Sequence, residues 1–239
     1  MRDDVLEGKN ALVTGASGGL GPEIARQLAA RGVNVHVTGR RAERLEALCK
    51  AMTDGGTRAG WSCADLRKDA EIDAVVSEAH RTLGEIDILV NCAGVFPVAS
   101  LVESTADTFD DCFGLNIRAP FRLCRALAPT MVERKWGRIV NIGSSSAYSG
   151  FKDTSVYCAS KHALLGLSRS LHDELKVHNV RTYCISPGSI KTPMGERVRN
   201  QNYETFLEPN EVAEYVCFVI SFDGGLISEE IRLNRTIIQ

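Results

Sequence analysis

A phenol and an ammonium stand four residues apart in "SVYCASKHALLGLSRSLHDEL", residues 155 to 175, and such a pair can move a proton. Tyr157 and Lys161 share one face of a helix, about 6 Å apart along its axis, in a stripe continued by Leu164, Leu171 and Leu175. The lysine therefore points inward or into a cleft, where an ammonium loses hydration and needs partners. Taken alone, the pair fits either a lysine snorkelling at a helix start or a tyrosine tuned by a neighbouring cation. Free tyrosine titrates near about pH 10, too high for reversible proton transfer near neutrality. A positive charge about 5.5 Å away, at an effective dielectric of about 20, is worth about 3 kcal/mol, or about two pKa units. The second reading thus predicts a phenol lowered toward working range.

A second cluster can hold an anion. "TGASGGLG", residues 14 to 21, sets Gly15, Gly19 and Gly21 between an apolar run and a helical one. Missing side chains let the backbone turn sharply and approach a pyrophosphate, whose charge a helix N-terminus favours. No Gly-Lys-Ser/Thr ending follows, which excludes a Walker loop. After the next apolar run comes "VTGRR", with Gly39, Arg40 and Arg41 and no acid. An acid there would accept the ribose 2′-hydroxyl of NAD, whereas arginine pairs with the 2′-phosphate of NADP, so NADP(H) is favoured over NAD(H). A tight turn and a solvated helix start would each explain one of these motifs singly.

These groups need elements to position them. Apolar runs "NALVTG", "VNVHVTG", "RAGWSCADL", "IDILVNCAG", "GRIVNIGS", "VRTYCISPG" and "EEIRLN" read as strands, and helical periodicity fills the intervals between them. One long helical stretch covers 105 to 134, and another covers 155 to 178. Strands joined by helices predict an α/β, doubly wound domain: a central parallel sheet of about seven strands with helices on both faces. Ligands of such folds sit at the carboxyl ends of the strands, where strand order reverses. Residues 1–239 are read as one domain, with the irregular stretch near 189–208 as a short lid.

Composition narrows the partners. A formal net charge of −2 gives no broad basic field for nucleic acid or a membrane surface. Eight cysteines without Cys-x-x-Cys spacing read as reduced core thiols, with no metal site. The start, "MRDDVLEGKN", is polar and acidic, and no apolar run approaches the roughly 20 residues a membrane span needs. The expected compartment is the cytoplasm.

With "ADL" at 64 to 66, "NCAG" at 91 to 94, Asn116, Ser144, "YCASK" and "SPGSIKT" at 186 to 192 added in order, the chain resembles the short-chain dehydrogenase/reductase family over nearly its whole length. The resemblance implies a Rossmann fold and an oxidoreductase moving a hydride between NADP(H) and a carbonyl or secondary alcohol: a ketone, aldehyde or 3-oxoacyl group. It makes Tyr157 the general acid/base, Lys161 the cation beside it, Ser144 the hydroxyl holding the substrate oxygen and Asn116 the anchor of a proton-relay water. It places the coenzyme on Gly15, Ser17, Gly19, Leu20 and Gly21, on Arg40, on Asp65 and Leu66, and along Asn91, Ala93 and Gly94. Tyr157, Lys161, Pro187, Gly188, Ile190 and Thr192 complete that set. Phe96, Phe151, Ser189 and Met194, with Ser144, are expected to line the substrate pocket.

The chain departs from the family at Gly18, where many NADP-dependent relatives carry a basic residue, so the coenzyme preference rests mainly on Arg40. The C-terminal "GGLISEEIRLNRTIIQ" also lacks a Val-Asp-Gly-Gly ending. A homotetramer or homodimer is implied, with the long helices as contact surfaces. Alternatives are an NAD(H)-dependent alcohol dehydrogenase of the same family and a catalytically silent nucleotide sensor; the second predicts loss of chemical groups, yet Asn116, Ser144, Tyr157 and Lys161 are all present.

Overall fold

The apolar runs become strands that are covered on both faces, which is why they alternate so little. The computed structural model describes residues 5–236. Strands β1 (Asn10–Thr14), β2 (Asn34–Gly39), β3 (Ala59–Cys63), β4 (Ile88–Asn91), β5 (Gly137–Ile142), β6 (Val180–Pro187) and β7 (Glu230–Leu233) form one sheet. Their spatial order is β3-β2-β1-β4-β5-β6-β7, and every pairing is parallel. Every strand but β2 stops short of the carboxyl end of its apolar run, because the tail of the run bends into a turn there. Strand order reverses between β1 and β4, which opens the crevice there.

Parallel neighbours require crossovers, and the helices supply them: α1 (Gly21–Ala29), α2 (Ala42–Asp54), α3 (Asp69–Leu83), α4 (Ala106–Phe113), α5 (Ala119–Glu133), α6 (Ser155–Leu175) and α7 (Pro209–Ile220). The pleat divides the core. Ala11 and Val13 pack with Ile24, Leu45 and Val216 under α1, α2 and α7, whereas Leu12 packs with Ile72, Val75 and Leu123 under α3 and α5.

The helical stretch expected over 105–134 is present but broken at its middle by a π turn, Gly114–Arg118. Gly114 is a weak helix former, and Asn116 inside the turn bonds outward to neighbouring backbone, so an extra residue is accommodated there. The thiols also need correcting. Six of the eight are buried, but Cys63 is exposed at the end of the edge strand β3, and Cys92 is only partly covered.

The stretch expected as a lid holds two short 3-10 turns, Gly195–Arg197 and Tyr203–Thr205, and is closed at its base. Ile190 and Leu207 form a parallel bridge, Lys191 pairs with Glu208 at 2.6 Å, and Phe206 is buried beneath. Among the described residues no helix is long and apolar enough to cross a membrane. Residues 1–4 of the acidic N-terminal stretch and 237–239 of the C-terminal one lie outside the described residues.

Candidate active site

The glycine turn sits where β1 meets β4. Gly15 has φ +73°, and a Cβ on it would lie 2.8 Å from the Ala93 nitrogen. Thr14 Oγ1 locks the two strand ends together by accepting from the backbone N–H groups of Cys92 and Ala93, each at 3.0 Å. A Cβ on Gly21 would lie 2.5 Å from the Gly15 carbonyl oxygen, so α1 starts directly behind the turn. Gly19, at φ +61°, faces Thr192 Cγ2 across 3.5 Å from its absent Cβ. The result is a cradle of bare backbone at a helix N-terminus, roofed by Thr192, which fits a pyrophosphate. A cavity of about 750 Å³ opens on the outer side of this turn, lined by Ser17, Gly19, Arg44 and Thr192; it does not reach Tyr157.

The candidate proton-transfer group lies at the end of β5. α6 begins with Tyr157 in its first turns, and Lys161 follows on the same face; both are buried. The Lys161 ammonium donates to the Ile142 carbonyl, the last residue of β5, at 2.8 Å, and stands 5.8 Å from the Tyr157 ring centroid. Phe96 meets the Tyr157 ring edge-on, with centroids 4.7 Å apart. Burial pushes the Tyr157 phenol up to about 12, while a hydrogen bond with Ser144 pulls the other way. The direction is opposite to the lowering expected from Lys161, and loss of phenolate hydration is the largest influence on the phenol. Burial also lowers the Lys161 pKa.

Asn116 is completely engaged. Its Oδ1 accepts from Val95 N–H at 2.9 Å, and its Nδ2 donates to the Val95 carbonyl at 3.1 Å and to Ser160 Oγ at 3.0 Å. Ser160 in turn donates to the Tyr157 carbonyl at 2.7 Å. The carboxamide thus ties the segment after β4 to α6. Ser160 was not among the sequence candidates; its signal is its place one turn from Tyr157 on the face toward the π turn.

The other candidates separate into those that face the crevice and those that do not. Ala93 and Gly94 line the β1–β4 junction, and a Cβ on Gly94 would lie 3.2 Å from Asn116 Oδ1. Asn91, by contrast, turns its side chain into the sheet and donates to Asn141 Oδ1 at 2.8 Å. Leu66 and Leu20 are core residues, and Ile190 packs on the same core as α1 and α7. Asp65 sits at the crevice edge but is held by Arg67 at 2.6 Å, a partner the sequence did not suggest; this bond is the main reason its pKa falls to about 2. Ser17 accepts from Arg40 N–H at 3.3 Å, and the Arg40 side chain is exposed. Pro187 ends β6, and Gly188 N–H donates to the Leu233 carbonyl at 2.8 Å. Ser189 is tied to Gln201 at 3.1 Å. Phe96 meets the Tyr157 ring, whereas Phe151 and Met194 are exposed.

A glycine cradle at the reversal of a seven-stranded parallel sheet defines a Rossmann-type dinucleotide-binding domain. The sequence matches the short chain dehydrogenase family over residues 9–203. This chain belongs to the short-chain dehydrogenase/reductase family and is an NAD(P)-dependent oxidoreductase of that family. It is 37% identical to Nodulation protein G of Rhizobium sp. (strain N33), over 93% of this chain and 94% of that protein. It is 32% identical to a 3-oxoacyl-(acyl-carrier-protein) reductase of Rickettsia conorii, over 93% of each. A metagenomic short-chain oxidoreductase solved in complex with NADP superposes with a TM-score of 0.84 at 33% identity, over 98% of this chain and all of the other.

Proposed function

We propose that this protein transfers a hydride between NADP(H) and a carbonyl or secondary alcohol, with Tyr157 passing the proton to or from the substrate oxygen. The observation that carries this reading is the buried phenol bracketed by Ser144, Phe96 and the Lys161 ammonium fixed on Ile142 O. Gly15, Gly19 and Gly21, with Thr192 and Arg40, would hold the coenzyme, which would supply or accept the hydride at carbon. Every proton must then come from the chain. Ser144 holds the substrate oxygen beside the phenol, which reduces the orientational cost, and Lys161 stabilises negative charge as the proton leaves. Phe96 excludes water from one side of the phenol. The relative named as a 3-oxoacyl reductase supports a 3-oxoacyl group, beside a ketone or aldehyde, as the substrate class.

Absorbance of reduced nicotinamide, followed across a panel of ketones, aldehydes and a 3-oxoacyl thioester with NADPH and then NADH, tests the reading. Turnover of at least one carbonyl, faster with NADPH at limiting coenzyme, is expected; silence across the panel with both coenzymes would refute it.

The raised phenol also sets a pH dependence. A pKa above its ordinary value keeps the proton on Tyr157 through neutrality, in the form that donates. Carbonyl reduction should therefore hold steady between about pH 6 and 9, whereas alcohol oxidation, which needs the phenolate, should climb throughout that range. Oxidation rates already level above about pH 7 would place the working phenol far lower than burial holds it. We further propose a homo-oligomer, supported by the exposed Phe109 and Phe121 on α4 and α5 and by the exposed small residues Ala159, Ala163 and Gly166 on α6.

A further inference from the structure

Beyond β7 the chain meets the irregular stretch 189–208 again, and Arg235 joins the two. Its Nη1 donates to Thr205 Oγ1 and its Nη2 to Gln201 Oε1, each at 2.9 Å, while its guanidinium carbon stands 5.2 Å from the Phe206 ring centroid. One planar fork thus spans both flanks of the second 3-10 turn, Tyr203–Thr205. Both acceptors are neutral.

Each contact leads on toward the crevice. Gln201 Oε1 also accepts from Ser189 Oγ at 3.1 Å, so one carboxamide oxygen holds the arginine and the first residue of the stretch together. Thr205 Oγ1 donates to the Asn202 carbonyl at 2.8 Å, which closes the second turn. Phe206 is buried, and a Cβ on Gly195 would lie 3.4 Å from its ring. Gly195 N–H donates in turn to Thr192 Oγ1 at 3.1 Å, on the residue that roofs the glycine cradle. The first turn, Gly195–Arg197, therefore rests on the ring that Arg235 covers. The Ile190–Leu207 bridge and the Lys191–Glu208 pair fix the two ends of the stretch, whereas Met194, Arg197 and Arg199 between them are exposed. Arg235 supplies a cross-link to that middle from outside the stretch.

We propose that Arg235 is a positioning residue for the reaction: it straps 189–208 down as a lid over the substrate, and its release from Gln201 and Thr205 lets the lid open. It acts through Gln201, which sets Ser189, and through Phe206, which carries the turn beside Met194. Arg235 belongs to the C-terminal segment that departs from the family pattern, so the strap is a property of this chain. Hydrogen bonds from a guanidinium to neutral acceptors suit a latch, because water can replace them at modest cost when the lid must open. What the lid covers rests on the hydride-transfer reading above; its closure is measurable without turnover.

Trypsin cleavage of the folded protein after the exposed Arg197 and Arg199, followed by mass spectrometry, reads lid opening directly. Arg235→Ala should be cut there about tenfold faster than the parent, with an unchanged circular dichroism spectrum. Gln201→Glu, which turns one of the bonds into an ion pair, should be cut about threefold more slowly, and should show no slowing when combined with Arg235→Ala. With a carbonyl that the parent reduces, Arg235→Ala should raise the substrate KM about tenfold while kcat stays within about twofold. Arg235→Lys should recover only part of that loss, since one ammonium cannot span both acceptors. Parental cleavage rates in Arg235→Ala would overturn the strap. Faster cleavage with an unchanged KM would overturn the positioning role, and equal slowing by Gln201→Glu with or without Arg235 would overturn the latch between them. A parent protein silent across the carbonyl panel would refute the hydride-transfer reading, while the cleavage rates would still decide the strap.

Discussion

Tyr157→Phe is expected to lower turnover by about a thousandfold while coenzyme affinity stays within about twofold of the parent. The substitution removes one oxygen and keeps the ring, so the edge-on contact with Phe96 and the helix that carries Lys161 are retained. What disappears is the phenol beside Ser144, which can release a proton and take it back. Ser144 alone cannot replace it, because a hydroxyl of its kind is a far weaker acid than a phenol. Water is a poor substitute as well, since the phenol is buried against an aromatic ring. Protein fluorescence titrated with NADP(H), set beside nicotinamide absorbance under saturating substrate, separates the two effects. A variant that keeps more than about a tenth of parental turnover would end the assignment of Tyr157 as acid/base.

How far such a site can be read from sequence depends on whether a residue is constrained by its neighbours in the chain or by distant ones. The strands were legible because parallel sheet covered on both faces leaves an apolar run with no polar phase, and seven runs became seven strands. Gly21 was legible because β1, the turn and α1 are contiguous, so its close approach to the Gly15 carbonyl arises within a few residues, whereas the approach of Gly15 to Ala93 comes from across the sheet. Lys161 was legible from its stripe with Leu164. Other features depend on contacts that spacing does not encode. The π turn at Gly114–Arg118 exists where Asn116 binds the Val95 backbone and Ser160 of α6, two segments more than twenty residues away on either side. Asn91 and Leu66 sit in recognisable motifs, yet Asn91 bonds to Asn141 across the sheet and Leu66, in the turn after β3, packs into the core. The direction of the Tyr157 shift depends on how completely the cleft covers the phenol, and sequence distance to Lys161 says nothing about that. Arg41 lies over Gly18 because two turns meet, which chain order alone does not show.

Arg138→Met is expected to cost about 3 kcal/mol of stability, a large share of the roughly 5–15 kcal/mol that holds an ordinary domain together. Arg138 opens the strand run "GRIVNIGS", where a charged residue in a doubly covered strand has no obvious place, and it is completely buried. Burial lowers its pKa, yet a guanidinium keeps its charge and must find partners. It finds one for each of its N–H groups. Nε donates to the Ile220 carbonyl at 3.2 Å, Nη1 to the carbonyls of Gly137 and Asn179 at 2.9 and 3.3 Å, and Nη2 to the Phe222 carbonyl at 3.2 Å and to Asp223 at 2.6 Å. These acceptors close the end of α7 and the segment that leads into β7. Methionine would fill much of the volume and lie against Trp136, whose ring centroid is 4.3 Å from the guanidinium carbon, but it would leave buried carbonyls without donors. The loss is moderated because Arg181 also donates to Phe222 O at 3.0 Å and Gly137 N–H reaches Asn179 O at 3.3 Å. The consequence reaches the site through the backbone: β7 places the Leu233 carbonyl that fixes Gly188 after β6, so loosening its approach should weaken coenzyme binding before the sheet itself melts. Urea unfolding followed by circular dichroism should show the midpoint fall for Arg138→Met and fall by less for Arg138→Lys, whose ammonium retains the charge but has fewer and less suitably placed donors. A loss below about 1 kcal/mol for Arg138→Met would mean that these carbonyls are satisfied without the arginine, and that α7 and β7 are held in place by apolar packing alone.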